Sequence, residues 1–400
     1  MKIFVEKVNN IPISKLRTEI AERKGIGHPD TICDLICEEA SINLSKEYKK
    51  KFGRVLHFNI DKAFLSAGKA ISKFGGGKVL KPMKFIFGDR ATFKVDNEKI
   101  DVEKILINSA KNWFKKNMRF VEEKHVKYYI EVKEGSASLV DIFKRKYEKT
   151  LGSNDTSACV GYWPLTKLEE ILIKTERYMN SKKFKKEFPE SGEDIKIMGI
   201  RKNSEINLII AIAIIDRFIK NEEEYFRTKD EIKEEIKDLI KKFFDVNVGI
   251  DINTLDQRGR GVNGLYLTVT GTCAENADSG QVGRGNKVNG VFSLFRPISN
   301  EAAAGKNPLI HVGKIYNFLS LEMAKEIYEK FDDYLEEVYV WLVSKIGKPV
   351  SDPELISVQL IPKNKKEVDE KEISNIVENK INNTDKFIKA LCNGKIRGFI

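Results

Sequence analysis

Cysteine and histidine are scarce in this chain of 400 residues, which has five of the first and four of the second. The cysteines are odd in number and scattered, with no second ligand pair beside Cys33 and Cys37, so the sequence predicts neither a disulfide framework nor a zinc site. We expect buried free thiols in a reducing compartment. No Ser-His or Cys-His arrangement of a nucleophilic enzyme is apparent either.

Long hydrophobic runs are also missing. The longest apolar run lies near 208–215, far short of the ~20 residues that a membrane-spanning helix needs. Residues 1–7 alternate between apolar and polar as a strand does, so that we expect no signal peptide. The prediction is a soluble, cytoplasmic protein without a membrane partner.

The phosphate-binding fingerprints of two large nucleotide-binding folds are absent. Gly305-Lys306-Asn307 lacks the upstream glycine and the Ser/Thr of a Walker A loop. Gly283-Arg284-Gly285 is an incomplete Rossmann fingerprint and does not open a helix. The sequence therefore predicts neither a P-loop NTPase nor a Rossmann dinucleotide-binding domain.

Positive charge, by contrast, is abundant: 70 Lys and Arg stand against 59 Asp and Glu, a net charge of +11. Such an excess suits anionic ligands, either nucleic acid or small phosphorylated molecules. Because the charge is spread over Lys-rich helices with interleaved Glu and no basic tail, a solvated surface explains most of it. We predict no nucleic-acid partner.

Hydrophobic periodicity predicts strands and helices that alternate along the whole chain. At ~100–200 residues per domain the length allows two to four domains, and the fold class is α+β with several sheet-and-helix units. The expected helices lie near 31–51, 101–117, 165–181, 222–244, 312–328 and 369–392, and the expected strands near 1–8, 55–62, 84–87, 92–95, 126–132, 195–199, 206–216, 246–252, 265–271, 335–343 and 356–361.

The stretch 22–34 has the character of a glycine-containing loop that turns into a helix. Pro29 suits the first helical turn. His28 and Asp30 would then lie at a helix N-terminus, where backbone N–H groups and the helix dipole favour anions. His28 could polarise or protonate a reacting group, and Asp30 could hold a divalent cation beside a phosphate. Alternatively, Asp30 or Thr31 is simply the N-cap.

Three further segments combine small residues with a carboxylate and, mostly, a cation. Lys and Arg neutralise phosphate oxygens, and carboxylates bind Mg²⁺. Each segment alone is explained by a turn or a surface salt bridge, but together with the first one they favour a polyphosphate and a metal ion. The pairs are Asn154/Asp155, Asp194/Lys196, and Asp278/Arg284 with Lys306.

Longer motifs follow one another in a fixed order. They are Glu-Arg-Lys-Gly-Ile-Gly-His-Pro-Asp (22–30), Lys-Phe-Gly-Gly-Gly (73–77), Asn-Asp-Thr-Ser (154–157), Gly-Glu-Asp-Ile-Lys-Ile-Met-Gly (192–199), Leu-Thr-Val-Thr-Gly-Thr (267–272), Val-Gly-Arg-Gly-Asn (282–286) and Gly-Lys-Asn-Pro-Leu-Ile-His-Val-Gly-Lys (305–314). Over nearly the whole chain, these motifs resemble the archaeal-type S-adenosylmethionine synthetase (methionine adenosyltransferase) family.

The resemblance implies an architecture of three similar α/β domains about a pseudo-threefold axis, built partly from non-contiguous segments. The approximate divisions are 1–150, 151–264 and 265–400. It also implies a homodimer with active sites between the subunits. The substrates would be ATP and L-methionine, with Mg²⁺ and, in many members, K⁺ as the cofactors.

The reaction implied is attack by the methionine sulfur on C5′ of ATP, with release of tripolyphosphate that is then hydrolysed to pyrophosphate and phosphate. The thioether is a neutral nucleophile and needs no general base. Matching the motifs residue by residue implies that His28 assists C5′–O cleavage, that Asp30 binds Mg²⁺, and that Lys196, Arg284 and Lys306 bind phosphates. It further implies that Asp155 and Asp278 contact methionine or the nucleoside and that Asp194 contacts the ribose. Gly135 and Ser136 belong to a segment assigned to ATP, and Lys314 and His311 lie in a matching segment without a fixed role.

Two segments depart from the family pattern. Where archaeal-type members have Gly-x-Gly-Ser-x-Asp, this chain has Lys-Glu-Gly-Ser-Ala-Ser (133–138), and where they have Gly-Asp-Asp-Gly it has Ala-Asp-Ser-Gly (277–280). Sequence drift is one explanation. The alternative is a divergent paralogue with altered substrate preference, or with weak activity as a regulatory partner subunit.

Overall fold

The computed structural model describes residues 2–145, 149–363 and 368–399. Within them the strands form three larger sheets of four, six and four strands, together with two short two-stranded sheets. Helices pack against the larger sheets, as α1 does on β3 and α7 on β10 in the numbering that follows. The α+β class predicted from the periodicity is confirmed.

The strands, in chain order, are β1 (Ile3–Lys7), β2 (Thr18–Lys24), β3 (Phe58–Ser66), β4 (Lys69–Ile71), β5 (Lys78–Lys81), β6 (Met83–Ala91), β7 (Lys94–Val95), β8 (Glu98–Lys99), β9 (Val126–Glu134), β10 (Ala158–Trp163), β11 (Ser191–Lys202), β12 (Glu205–Ile215), β13 (Val248–Ile252), β14 (Leu267–Thr268), β15 (Gly280–Gln281), β16 (Phe292–Ser293), β17 (Leu335–Val343) and β18 (Leu355–Pro362).

The α-helices are α1 (Pro29–Phe52), α2 (Val102–Asn117), α3 (Ala137–Ile142), α4 (Lys167–Met179), α5 (Lys182–Glu187), α6 (Glu222–Phe244), α7 (Val312–Lys330), α8 (Glu370–Asn382) and α9 (Thr384–Cys392). Short 3₁₀ turns lie at Ile13–Lys15, Glu123–His125, Asp216–Phe218, Gly261–Gly264 and Cys273–Glu275.

Each larger sheet combines strands from distant parts of the chain. The first has the order β1-β18-β17-β10, the second β13-β12-β11-β2-β16 with β14 beside β12, and the third β15-β3-β6-β9. The first strand of the chain pairs in parallel with β18, and β2 pairs antiparallel with β11. These long-range pairings bring the motif that begins at residue 22 beside the motif that begins at residue 192.

The first helix, α1, lies at the centre of the larger hydrophobic core. Its inner residues Ile32, Ile36, Ala40 and Leu44 are fully buried. It begins with Pro29 in the first turn, as predicted, and ends at Gly53 in the left-handed conformation at φ 72°. Because α1 is buried on most sides, its carboxylates face other segments of the protein rather than water.

The prediction of a loop that begins at residue 22 is wrong for Glu22, Arg23 and Lys24, which belong to the strand β2 (Thr18–Lys24). The buried positions of this strand are Glu19, Ala21 and Arg23. Two charged residues at inward positions conceal the alternation of apolar and polar residues on which strand prediction rests. Their charges are neutralised only in the tertiary structure, by residues far away in sequence.

Two other boundaries differ from the prediction. Gly88, Asp89 and Arg90 do not separate two strands but lie inside β6, although Asp89 has the left-handed φ of 87°. The expected strand at 265–271 is reduced to Leu267–Thr268. Glycine and aspartate are usual turn residues, but here pairing with β9 carries the strand through them.

The last predicted helix, 369–392, is two helices, α8 and α9, that meet at Asn383. The Asn383 side chain donates a hydrogen bond to the carbonyl of Asn379, which ends α8 by satisfying one of its last carbonyls. Both halves are amphipathic, so the periodicity alone did not show the interruption.

Candidate active site

The loop between β2 and α1 is held against β11 by its glycines. The Gly25 amide donates to the Ile195 carbonyl at 2.6 Å, and the Gly27 amide donates to the Glu193 carbonyl at 3.0 Å. A Cβ atom on Gly27 would lie 2.4 Å from the Asp194 nitrogen. The glycines are therefore required for a close approach of two backbones, not for flexibility.

His28 is the N-cap of α1. Its Nδ1 accepts the Asp30 amide at 3.2 Å, so the neutral ring carries its proton on Nε2. Burial and the charges of the nearby Lys24 and Lys196, against the opposing charge of Asp30, together lower the pKa of His28 to about 4. At neutral pH this imidazole is a neutral hydrogen-bond donor. The alternative prediction that Asp30 or Thr31 is the N-cap is therefore wrong, and the catalytic role of His28 stays a prediction.

Asp30 is tied to two other segments. Its Oδ2 lies 2.9 Å from the Lys24 Nζ, and its Oδ1 accepts the Gln281 amide at 3.0 Å. The Lys24 ammonium also donates to the Arg284 carbonyl at 2.6 Å. The Lys24 side chain thus joins the start of α1 to the loop after β15.

A second lysine completes this group. Lys196 lies directly opposite Lys24 in the pairing of β11 with β2, and its Nζ is 3.0 Å from the Glu22 Oε2. The Glu22 Oε1 lies 3.7 Å from the Lys24 Nζ, so one carboxylate is shared by two ammonium groups. We call Glu22, Lys24, His28, Asp30 and Lys196 the His28 cluster.

Sequence reasoning did not single out Lys24 and Glu22 as site residues. Their only signal was membership of the motif at 22–30, since the strand that places them beside Lys196 was not recognised. Asp194 and Lys196 were expected to follow a turn at the start of a strand, yet both lie inside β11 (Ser191–Lys202). The strand pairing, and not a common loop, brings these charges together.

Two predicted carboxylates lie beside the His28 cluster. Asp194 is buried and accepts the Cys273 amide at 2.9 Å. Burial raises its pKa to about 6, the hydrogen bonds from Cys273 oppose this, and the charge of Asp278 adds to it. Asp278 itself is exposed and accepts the amide of Ser279 at 2.9 Å.

Arg284 reaches the site from the loop after β15. Its carbonyl holds Lys24, whereas its side chain is exposed. Across residues 2–145, 149–363 and 368–399, no hydrogen bond or ion pair of its guanidinium is found. An unpaired, exposed guanidinium beside other cations is suited to bidentate binding of a phosphate from solution.

Lys306 lies in a different place. It forms ion pairs with Glu301 and, at 3.6 Å, with Asp61. Its carbonyl accepts the Ser41 hydroxyl at 2.9 Å, and Ser41 follows Asp30 by eleven residues on α1, or about 16 Å along the axis. Among the hydrogen bonds and ion pairs of the described residues, none joins the Lys306 side chain to the His28 cluster.

His311 and Asn154 belong to the surroundings of Lys306. The His311 Nδ1 lies 3.3 Å from the Asn154 Nδ2. Burial lowers the pKa of His311 to about 3, with Asp61 opposing and Lys306 adding to the decrease. We call Asp61, Asn154, Glu301, Lys306 and His311 the Lys306 cluster. Asp61 and Glu301 carried no sequence signal.

The remaining predicted residues lie near this second cluster or behind it. Asp155 is exposed beside Asn154 and accepts the Thr156 amide at 2.7 Å. Gly135 packs on the ring of His57, and Ser136 begins the short helix α3. Lys314 is buried, 2.7 Å from the Glu38 carboxylate, which fixes α7 against α1; its contact with substrate stays a prediction.

The site offers carboxylate oxygens for a metal ion. Among the described residues no group of three or more His, Cys, Asp or Glu side chains is arranged around a common point. Mg²⁺ does not need such a cage, since it keeps several waters and uses one or two carboxylates together with substrate phosphates. Asp30, whose carboxylate already lies among cations at a helix N-terminus, fits that requirement.

None of the described helices is long and apolar enough to cross a bilayer.

The charged groups converge on the His28 cluster from the ends of β2 and β15, the start of α1 and the interior of β11. Neutral imidazole, ammonium, guanidinium and carboxylate groups in one place are typical of enzymes that act on a phosphate-bearing substrate.

The comparisons identify the family. The family model for S-adenosylmethionine synthetase (AdoMet synthetase) matches residues 1–395. The S-adenosylmethionine synthase of Pyrococcus furiosus is 43% identical over 99% of both chains, and that of Pyrobaculum neutrophilum is 43% identical over 90% of both. A solved structure described as an unusual S-adenosylmethionine synthetase from Campylobacter jejuni shares the fold, with a TM-score of 0.63 over 96% of this chain and 95% of that one at 17% identity. The chain belongs to the S-adenosylmethionine synthetase family.

Proposed function

We propose that this protein is a methionine adenosyltransferase that makes S-adenosylmethionine from ATP and L-methionine and releases the triphosphate, which it hydrolyses to pyrophosphate and phosphate. The observation that supports this most directly is the His28 cluster. It combines one neutral histidine, two lysines and two carboxylates with Arg284, and such preorganised charges suit the departure of a polyphosphate.

The residues of the His28 cluster would act on the leaving group. The Nε2–H of the neutral His28 donates a hydrogen bond toward the oxygen that leaves C5′, and Lys24, Lys196 and Arg284 neutralise charge that develops on the triphosphate. These cations are already in place through Glu22, Asp30 and the strand pairing, so little reorganisation is needed at the moment of reaction.

The carboxylates would position the two substrates. Asp194, buried and held by the Cys273 amide, accepts hydrogen bonds from the ribose hydroxyls, and Asp278 contacts methionine or the nucleoside. Asp155 would have the corresponding role on the Lys306 side, where Gly135 and Ser136 border the ATP segment. Holding the sulfur in line with C5′ converts a bimolecular step into an effectively unimolecular one.

Magnesium would bind at Asp30 together with phosphate oxygens. When bound, the ion supplies charge that stabilises the leaving triphosphate. Lys24, which pairs with Asp30 at 2.9 Å, would keep that carboxylate oriented toward the phosphates. The family resemblance adds K⁺, for which the described residues suggest no particular ligand.

A homodimer would bring the two clusters together. Lys306 is separated from His28 along α1 within one chain, so we propose that the Lys306 cluster of one protomer completes the His28 cluster of its partner. The three larger sheets support three similar units about a pseudo-threefold axis, near 1–150, 151–264 and 265–400, with strands exchanged among them. A cytoplasmic location goes with this activity.

One assay tests the proposal and its alternative. Purified protein is incubated with ATP, methionine and Mg²⁺, and the nucleosides and phosphates are then separated. An adenosylated sulfonium together with pyrophosphate and phosphate is the expected result. A regulatory subunit with weak activity would give at most traces of these products alone, and absence of the sulfonium would refute the proposed function.

The two departures from the family pattern are accommodated locally. Lys133 lies at the exposed end of β9 and pairs with Glu131 at 3.3 Å. The Ser279 hydroxyl accepts the Ala67 amide at 3.1 Å, which ties the loop before β15 to the end of β3. Neither change removes a member of the two clusters, so we do not propose a loss of activity.

A further inference from the structure

The strand β11 contains a bulge at the point where it meets the active site. Ser191 pairs with Ile214 of β12, and the next paired position is Ile195 with Ile212. Three residues of β11, 192–194, therefore lie opposite one residue of β12, Ala213, and are left without ladder partners on that strand. The carbonyl oxygens in such a bulge must accept hydrogen bonds from groups elsewhere in the protein.

Two cations outside the site supply those donors. The ammonium of Lys185, on α5, donates to the Ser191 carbonyl and hydroxyl at 3.1 Å each and to the Gly192 carbonyl at 2.6 Å. The Arg119 guanidinium donates to the carbonyls of Ser191 and Pro189. Thus the two side chains share the Ser191 carbonyl.

Lys185 is an unusual residue for a purely structural position. It is buried, and all three of its hydrogen bonds go to neutral oxygens, an arrangement that costs desolvation energy without a paired carboxylate. Burial lowers its pKa to about 7, Glu193 opposes this, and Arg119 adds to it. Arg119 also forms an ion pair with Glu193, the middle residue of the bulge.

The opposite side of the bulge holds the catalytic loop. The Glu193 carbonyl accepts the Gly27 amide, and the Ile195 carbonyl accepts the Gly25 amide. The Asp194 amide donates to the Gly271 carbonyl at 3.0 Å, so its carboxylate is aimed at the site. Carbonyls on one side of the bulge thus meet Lys185 and Arg119, and those on the other side meet the loop that ends at His28.

We propose that Lys185 and Arg119 are positioning residues of the active site: they hold the bulge 192–194 in shape, and the bulge in turn fixes Asp194 and the loop that carries His28. Neither side chain is expected to touch substrate. The inference rests on the proposed function for its kinetic consequence, but its structural consequence holds for the protein without substrate.

The first test uses Lys185→Met, which keeps the length of the side chain and removes the ammonium. Lys186→Met is the matched control, because Lys186 is the next residue of α5 and is exposed. Amide hydrogen exchange is followed in substrate-free protein. We expect exchange at Gly25 and Gly27 to rise about tenfold or more in Lys185→Met and to stay unchanged in Lys186→Met. Equal exchange in the two variants would overturn the proposal.

The second test uses Arg119, whose half-exposed side chain can be changed with less risk to folding. At a temperature where each variant is fully folded, Arg119→Gln should lower kcat by about a hundredfold, and Arg119→Lys should recover part of the loss. A lower Tm with unchanged kcat would mean a structural role only and would refute positioning.

The two tests separate this inference from the proposed function. If the wild-type protein makes no sulfonium product while the exchange at Gly25 and Gly27 responds to Lys185→Met, the bulge is held as proposed and the activity is wrong. If the wild type is active and neither the exchange nor kcat responds, the positioning role is wrong.

Discussion

His28 caps α1, and the proposed mechanism gives the same ring a second role. Its Nδ1 accepts the Asp30 amide, which leaves Nε2–H available as a donor. Acceptance at Nδ1 requires the neutral ring, and burial together with Lys24 keeps it neutral by lowering its pKa. The sequence placed this residue at a helix N-terminus, but its protonation state follows from lysines brought near it by β2 and β11.

Substitution of His28 separates the two duties. His28→Ala should lose both the cap, at a cost of about 1 kcal/mol in the free energy of unfolding, and most of the sulfonium synthesis. His28→Asn keeps an acceptor at the cap and should be as inactive as the alanine variant but more stable. Urea unfolding and turnover assays measure the two effects, and normal turnover in either variant would remove His28 from the mechanism.

His57 provides a prediction about pH. It is buried, and both of its ring nitrogens lack a hydrogen-bond partner in the described structure. Burial lowers its pKa to about 4 from the usual 6.5. The unfolded chain therefore takes up a proton first as the pH falls, and stability is lost between about pH 6.5 and pH 4.

Replacement by an apolar ring should remove that dependence. We expect His57→Phe to be about as stable as the wild type at pH 7, since no hydrogen bond is lost, and to be more stable than the wild type at pH 4 by on the order of 3 kcal/mol. Urea unfolding at several pH values gives both curves. If the free energy of unfolding changes with pH in the same way for the wild type and for His57→Phe between pH 7 and pH 4, His57 does not titrate as predicted.

At the scale of secondary-structure elements, the position of His28 in the site depends on the contact of the β2–α1 loop with β11. Gly27→Ala would place a Cβ atom 2.4 Å from both the Asp194 nitrogen and the Glu193 carbonyl carbon. The loop must move away, and with it His28, so that we expect kcat to fall by about a hundredfold.

Gly53→Asn is the matched control for Gly27→Ala. Gly53 ends the same helix, and nothing lies within 4 Å of a Cβ atom there. Asparagine tolerates its left-handed conformation better than most residues do. Steady-state kinetics should show normal turnover for Gly53→Asn, and a normal kcat for Gly27→Ala would mean that the close approach is not needed.

The elements also show how far prediction from sequence reached. The periodicity of α1, α2 and α6 was strong enough to place these helices within about two residues, the usual uncertainty of helix ends. The strand β2 was missed because Glu19 and Arg23 occupy its inward positions, where they are neutralised by Arg201 and Glu176. Partners so far apart in sequence leave no local pattern.

At the scale of the whole molecule, the separation of Lys306 from the His28 cluster makes a prediction about assembly. His28→Asn and Lys306→Met proteins should each be inactive alone. If the two clusters meet across the dimer interface, each site combines His28 of one protomer with Lys306 of the other. A hybrid dimer then has both substitutions in one of its two sites, and the second site is intact. Unfolding and refolding the mixed variants should restore about a quarter of the wild-type activity, since half of randomly formed dimers are hybrids with one of two sites intact.

The comparison sample for the mixing experiment is the double variant refolded alone, which must remain inactive. No recovery in the mixture would mean that Lys306 acts within its own chain, whereas normal activity of Lys306→Met alone would remove Lys306 from the reaction. Size measurement before and after mixing shows whether dimers formed, so that failure to assemble is recognised by itself.

By itself the sequence determined the α+β class, the positions of the long helices and the family, because periodicity and ordered motifs are local or linear properties. It also grouped His28/Asp30, Asn154/Asp155, Asp194/Lys196, and Asp278/Arg284 with Lys306 as candidates for one polyphosphate and metal site. The tertiary structure decided that Lys24 and Glu22 join His28, Asp30 and Lys196, that Lys306 pairs with Asp61 and Glu301, and that Lys185 and Arg119 contact the bulge of β11. The first of these depends on strand pairing between residues more than a hundred positions apart, and such long-range partners cannot be deduced from neighbouring residues.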